Sequence, residues 1–314
     1  MNLPLAADVI VAYDRIKSHI HQTPVFTSKS INQIVGCELF FKCENLQKVG
    51  AFKYRGACNA VLSLSDAQKA QGVATHSSGN HAAALALAAR ENGATAYIVM
   101  PENAPEIKKK AVAGYGAKIT FCQPTLEARE STLVKVISDT GATMVHPYNQ
   151  WEVICGQGTA AMELLGQQGD LNTIITPVGG GGLLSGTATF VKEQFPEIKV
   201  VAGEPKMADD AYRSFKAGEF FPVDNPNTIA DGLRTSLGTL TFEIIKNKVD
   251  DIYVVEEESI RIAMRMVWER MKIIIEPSSA VPLAAILENR AVFANQKVGL
   301  IISGGNVDLG NLPF

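Results

Sequence analysis

Lys53 lies in the run Val49-Gly-Ala-Phe-Lys-Tyr-Arg-Gly56, between an aromatic residue and a helix start, with glycines on both sides. The positive end of a helix disfavours protonation of an amine, which suits attack on a carbonyl cofactor. The plainer alternative is a solvated surface lysine, with Phe52 either a stacking surface for a flat ring or part of the core. Further on, Pro177-Val-Gly-Gly-Gly-Gly-Leu183 joins an apolar strand over 173–178 to a helical stretch over 183–194. Four glycines there leave backbone N–H groups free to turn toward an anion, beside the helix dipole. The run is not the GxGxxG dinucleotide pattern and lacks its ribose-binding acid. A tight strand-to-helix turn is its ordinary reading.

Ser77-Ser-Gly-Asn-His81 also follows a strand and opens a helix. Its N–H groups suit a substrate carboxylate and Asn80 suits a ring hydroxyl; otherwise Ser77 or Ser78 is simply an N-cap. Ser303 ends a late strand and precedes two glycines, a placement that admits a ligand closely. A serine facing a pyridine nitrogen leaves that nitrogen unprotonated and the ring a weaker electron sink, so elimination competes with reversible deprotonation. A strand-end turn is the alternative. Lysine, phosphate cup and late serine together point to a pyridoxal phosphate (PLP) enzyme, with Lys53 forming the Schiff base. In Glu204-Pro-Lys-Met-Ala-Asp-Asp210, Glu204 and Asp210 with the Ala208 carbonyl suit one hard cation, although acids on a loop are usually just solvated.

The elements that must position these groups alternate along the chain. Strands are expected over 38–43, 73–76, 96–100, 118–122, 143–146, 173–178, 199–202, 251–255 and 298–302. Helices over 81–92, 105–115 and 259–271 fall between them. Such alternation implies parallel-rich open sheets covered on both faces, an α/β fold. Residues 73–146 read as a small domain inserted in a large domain of 1–72 and 147–314, with the cofactor in the cleft. The 314 residues are 46% hydrophobic, the formal net charge is -3 and there are five cysteines. No basic field favours nucleic acid, and no apolar run or N-terminal leader implies a membrane or export. The unpaired cysteine pattern fits reduced thiols in the cytoplasm, with Cys43 and Cys122 packed in strands.

Phe52-Lys-Tyr-Arg-Gly56, Ser77-Ser-Gly-Asn-His81, Gly179 to Gly182 and Ser303-Gly-Gly-Asn306 together resemble the fold-type II PLP family, whose architecture is that of tryptophan synthase β. The likeness runs from His21-Gln-Thr-Pro24 to Asp308 and is nearest to serine racemases and serine/threonine dehydratases. It implies Lys53 as the cofactor amine and Ser78 as a second acid/base. Phe52, Asn80, Gly179, Gly180, Gly181, Gly182, Leu183, Glu276 and Ser303 become cofactor contacts. Ser77, Ser78, Gly79, Asn80, His81, Arg129 and Thr235 become substrate contacts. Glu204, Ala208 and Asp210 resemble the divalent-cation loop of eukaryote-type serine racemases, which implies Mg²⁺ or Mn²⁺. Tyr115 alone matches a contact to a nucleotide (ATP) effector, and a homodimer is implied. The expected activity is racemisation of serine with dehydration of L-serine and L-threonine. The alternatives are an L-threo-3-hydroxyaspartate ammonia-lyase, with Arg129 meeting the β-carboxylate, a catabolic threonine dehydratase, or a non-catalytic ligand-binding protein.

Overall fold

The computed structural model describes residues 2–314. Two sheets carry the architecture. Strands β1 (Val25–Phe26), β2 (Glu38–Cys43), β7 (Thr173–Pro177), β8 (Lys199–Pro205), β9 (Asp251–Val255) and β10 (Lys297–Ile302) form one sheet in the order β1-β2-β10-β7-β8-β9. Strands β3 (Val73–His76), β4 (Ala96–Pro101), β5 (Lys118–Cys122) and β6 (Thr143–Met144) form the other in the order β5-β4-β3-β6. Every pairing is parallel except β1 with β2. The short antiparallel edge at Val25–Phe26 was not expected from the sequence: two residues give no periodicity to read. The strand expected over 143–146 pairs only through Thr143 and Met144.

The expected strands read as continuous apolar runs because both faces are covered. In β7, Ile174 packs into one core and Ile175 into the other; in β10, Ile301 and its neighbours Leu300 and Ile302 divide the same way. In the smaller sheet, Val73 and Ile98 face one cluster while Ala74 and Val99 face another. Close approach of helices Lys53–Leu62, Trp151–Gln167 and Gly182–Gln194 depends on missing side chains. A Cβ on Gly156 would stand 2.6 Å from the Cα of Gly56, and one on Gly186 would stand 2.3 Å from the Ile154 carbonyl oxygen.

The smaller sheet draws only on residues between 73 and 144, and the larger one on the chain to either side. On that membership we propose the division into a 73–146 domain set within 1–72 and 147–314. The parallel strands bring their C-terminal ends to the chemistry: β3 leads into Ser77, β7 into the glycine run and β10 into Ser303. Ligands of open α/β sheets bind at such strand ends.

Candidate active site

Lys53 opens the helix Lys53–Leu62, as its sequence setting suggests. Its backbone is fixed from the far end of the chain. Phe52 N–H donates to the Ser303 carbonyl at 2.9 Å, Ala51 bridges Gly304, and Gly305 N–H donates to the Gly50 carbonyl at 2.9 Å. Two positive-φ residues, Val49 (56°) and Gly50 (69°), make the turn that permits this contact. The Lys53 amine donates to the Pro147 carbonyl at 2.8 Å and lies 5.2 Å from the centre of the Phe52 ring. It has no carboxylate partner within salt-bridge distance among the described residues. Burial lowers its pKa to about 8, against the opposing pull of Glu276.

Pro147 is presented by a turn that His146 shapes. The His146 Nδ1 accepts the N–H groups of Tyr148 at 3.3 Å and Asn149 at 2.9 Å, so the ring is neutral there. Burial first, then His76 and Lys53, holds its pKa down at about 4. The Tyr148 ring rests on the glycine run: a Cβ on Gly180 would stand 2.3 Å from it, and one on Gly182 would stand 3.0 Å from the Tyr148 Cβ. Gly181 has φ 86°, a conformation that suits glycine. Gly179, Gly180, Gly181 and Gly182 are all buried, and none of their N–H groups has a partner within the described residues. Buried amides are ordinarily paired, so four in succession mark an anion position at the start of helix Gly182–Gln194. Leu183 is buried in the first turn of that helix.

Around the strand β3 exit, Ser77 Oγ accepts the Gly79 N–H at 3.4 Å, while Ser78 makes no hydrogen bond to the described residues. Gly79, not a serine, is the N-cap of helix Asn80–Glu91, and no side chain caps it. The N-cap alternative for Ser78 therefore fails. Asn80 is locked at both ends: its Nδ2 donates to the Glu276 carboxylate at 3.0 and 3.1 Å, and its Oδ1 accepts from Asn306 Nδ2 at 3.0 Å. Asn306 also donates to the Val49 carbonyl at 2.7 Å, which ties Asn80 to the turn before Lys53. Burial, then Asp231, raises Glu276 to about 7. His81 is buried with Nε2 3.1 Å from the Val145 carbonyl, and burial lowers it to about 3. Ser303 shares its hydroxyl with Ser279 at 2.9 Å, and Ser279 also holds both polar groups of Gly304 at 2.7 Å.

Two expected substrate contacts stand outside this network. Arg129 is on helix Leu126–Thr140, where its Nε reaches only the Thr125 carbonyl at 3.4 Å, although its charge helps lower His76. Thr235 is exposed and makes no hydrogen bond to the described residues. Asn306, Ser279, Tyr148 and the Pro147 carbonyl belong to the site but were not expected in it. Asn306 had a signal, its place in the Ser303-Gly-Gly-Asn run; a backbone carbonyl has none.

The acidic cluster is not the solvated loop that spacing suggests. Glu204 is within β8, Ala208 is in a short 3-10 turn, and Asp210 opens helix Asp210–Ala217; all three are buried. Glu204 accepts the N–H groups of Ala211 and Tyr212 at 2.9 and 2.7 Å. Both Asp210 carboxylate oxygens are buried without a partner. Burial raises Asp210 to about 7, and burial and Asp210 raise Glu204 well above the carboxylate range. Among the described residues no three His, Cys, Asp or Glu side chains gather as a metal site. Separately, a cavity of about 510 Å³ opens beside Asn80, lined among others by Lys108, Tyr115, Asp231 and Asn306. No helix is long and apolar enough to cross a membrane.

A half-buried amine without a counter-ion, in a site with four unpaired buried amides, fits a phosphorylated aldehyde. The comparisons agree. The family described as pyridoxal-phosphate dependent enzyme matches residues 16–304. The chain is 51% identical over 314 residues, all of both chains, to the beta-hydroxyaspartate dehydratase of Paracoccus denitrificans (strain Pd 1222). The crystal structure of serine racemase from Dictyostelium discoideum aligns with a TM-score of 0.93 at 53% identity, covering 97% of this chain and 99% of that one. The crystal structure of a T.th. threonine deaminase aligns with a TM-score of 0.93 at 42% identity, covering 98% and 99%. With a family match over nearly its whole length and the lysine, glycine cup and serine brought together at the strand ends, this chain belongs to the fold-type II pyridoxal-phosphate dependent enzymes, alongside the serine racemases and threonine deaminases.

Proposed function

We propose that this enzyme racemises serine and eliminates ammonia from serine, threonine and related β-hydroxy amino acids. The observation that carries this reading is the Lys53 amine, half-buried, free of any counter-ion and lowered to about 8, in a site with a row of unpaired amides. PLP, when bound, supplies the electron sink that makes the α-proton of an amino acid labile. Lys53 carries the cofactor and exchanges a proton at Cα of the L-isomer. The amides of Gly179 to Gly182 would hold the phosphate, with Leu183 and Phe52 as further contacts to the cofactor. Asn80, locked by Glu276 and Asn306, faces the ring hydroxyl. Ser303 would meet the ring nitrogen with a neutral hydroxyl, a group that would leave that nitrogen unprotonated. The amides of Ser78, Asn80 and His81 bind the substrate α-carboxylate, since the Ser77 N–H is taken by the Val99 carbonyl and the Gly79 N–H by Ser77 Oγ. Ser78, unengaged by the protein, exchanges a proton at Cα from the D-side. Proton return from Ser78 completes inversion; departure of the β-hydroxyl as water instead leaves an enamine, whose imine tautomer solvent water hydrolyses to a 2-oxo acid and ammonia.

Glu204, Asp210 and the Ala208 carbonyl are proposed to hold Mg²⁺ or Mn²⁺. Two buried acids with an unsatisfied carboxylate suit a hard cation with waters in its shell. A nucleotide effector is placed in the cavity that Tyr115 lines, and the working form is taken to be a cytoplasmic homodimer. The second reading is L-threo-3-hydroxyaspartate dehydration, supported by the relative at 51% identity, with Arg129 as the candidate cation for the β-carboxylate. Thr235 is assigned as a further substrate contact on resemblance alone.

One assay separates these. Purified enzyme is given L-serine, D-serine, L-threonine and L-threo-3-hydroxyaspartate, and keto acid and enantiomer are measured together. The first reading expects D-serine and pyruvate from L-serine. Turnover of 3-hydroxyaspartate alone would replace it with the second. Cofactor bound without turnover of any substrate would leave a ligand-binding protein.

A further inference from the structure

Two residues beyond Lys53, on the same helix, Arg55 sits in a cluster of four buried charges. Lys42 is in β2, Glu44 opens the short turn after it, and Glu163 is on helix Trp151–Gln167. The side chains of Lys42, Glu44, Arg55 and Glu163 are 0 to 2% exposed. Two positive and two negative groups leave the cluster neutral. Its hydrogen bonds are complete. Arg55 Nε and Nη2 grip Glu44 at 2.7 and 2.8 Å, its Nη1 and Nη2 grip Glu163 at 2.9 and 2.7 Å, and Nη1 reaches Thr159 Oγ1 at 3.2 Å. Lys42 Nζ uses its donors on Glu163 at 2.7 Å, the Thr23 carbonyl at 2.8 Å and Gln167 at 2.9 Å. Thr23 adds a hydroxyl to Glu44 at 2.5 Å. Burial works against the charge on Glu44, yet Arg55, Lys42 and Thr23 together outweigh it and keep the carboxyl below its usual range.

A buried ionic cluster is a poor way to gain stability, since well-packed apolar residues often do as well or better. What it supplies here is direction. Arg55 forks to two carboxylates on two different elements, and a planar guanidinium is the group that holds such a fork rigidly. The elements it joins frame the site: the Glu44 turn follows β2, β2 pairs with β10, and β10 leads into Ser303, whose carbonyl takes the Phe52 N–H. We propose that Arg55, clamped between Glu44 and Glu163, is a positioning residue that sets where the Lys53 amine meets the cofactor. This rests on Lys53 being the cofactor amine. The action is geometric: the cluster is neutral, and only burial and Glu276 move the Lys53 pKa.

The test uses cofactor-free enzyme and follows covalent capture of PLP by absorbance across pH, well below the melting temperature. Arg55→Lys keeps the charge and loses the fork. The expected result is a capture rate whose plateau falls at least about tenfold, in line with the cost of misplacing a reacting group. The pH midpoint stays where the wild type has it. A lower melting temperature is expected on any account and decides nothing; a wild-type plateau in folded Arg55→Lys overturns the proposal, and so does a shifted midpoint with the plateau kept. Should Arg55→Lys not fold, Glu44→Gln takes its place, with the plateau expected to fall by about threefold or more; an unchanged plateau there is equally fatal. Lys53→Ala runs in parallel. Covalent capture in Lys53→Ala would refute the role of Lys53 itself, whatever Arg55 does.

Discussion

Replacing Asp210 by asparagine removes a buried charge while keeping the shape of the side chain. Both Asp210 oxygens are buried without a partner, and the carboxyl rises from 3.8 to about 7. A folded value above the unfolded one means that the folded protein holds its proton more tightly. Stability without metal is therefore fully present below about pH 4 and is lost as pH rises through about 7. The raised pKa costs the metal-free fold about 2 kcal/mol near pH 5, where the carboxyl is held protonated, and about 4 kcal/mol near pH 8, where it ionises in place. For a chain of this length, 4 kcal/mol is about 6 °C in melting temperature. Metal-free Asp210→Asn is thus expected to melt above metal-free wild type near pH 8, with the gap shrinking toward pH 5. Mg²⁺ at about a hundred times its Kd should return roughly 2.7 kcal/mol to the wild type and almost nothing to Asp210→Asn. Differential scanning calorimetry after chelation and dialysis, with and without Mg²⁺ or Mn²⁺ at both pH values, reads all four quantities. If metal-free Asp210→Asn melts at or below wild type near pH 8, and Mg²⁺ leaves the wild type unmoved, the buried acids are not a cation site.

Other outcomes follow from the same geometry. Ser78→Ala should keep L-serine elimination within roughly tenfold, because Lys53 still serves the L-side, while racemisation and D-serine elimination fall about a hundredfold or more; equal losses by chiral chromatography would remove Ser78 from the D-side. Gly180→Ala places a Cβ 2.3 Å from the Tyr148 ring, so the PLP Kd should rise at least about tenfold by equilibrium titration. Gly186→Ala sets a Cβ 2.3 Å from the Ile154 carbonyl oxygen and should cost about 1–3 kcal/mol or more in denaturant unfolding without altering the Kd of the folded fraction. Cofactor capture by cofactor-free wild type should rise with pH through a midpoint near 8, since the neutral amine is the nucleophile.

Much of this site was readable because it is built from local runs. A lysine at a helix start, four glycines after an apolar strand and a serine at a strand end are each contiguous, and each strand exit was marked by its apolar run. The links between the runs were not readable. Asn80 meets Glu276 across 196 positions and Asn306 across 226, and Lys53 finds a carbonyl 94 positions away. Such contacts join segments that leave the smaller sheet, at β3 and β6, to segments of the larger one, and no residue type announces them. Glu204 misled for a different reason. Acids usually stay in water, and only the register of β8 between β7 and β9 reveals that this one is buried. Arg55 stood within the quoted motif, yet nothing in its spacing disclosed that Glu44 and Glu163 converge on it.

The central claim is that Lys53 is the amine that carries PLP. Holoenzyme reduced with borohydride, digested and mapped by mass spectrometry tests it directly. The account predicts one pyridoxyl-modified peptide, containing Lys53, with the modification lost in Lys53→Ala together with both racemisation and elimination. A modified lysine elsewhere in the chain, or a Lys53→Ala enzyme that keeps a tenth of wild-type turnover, would contradict it.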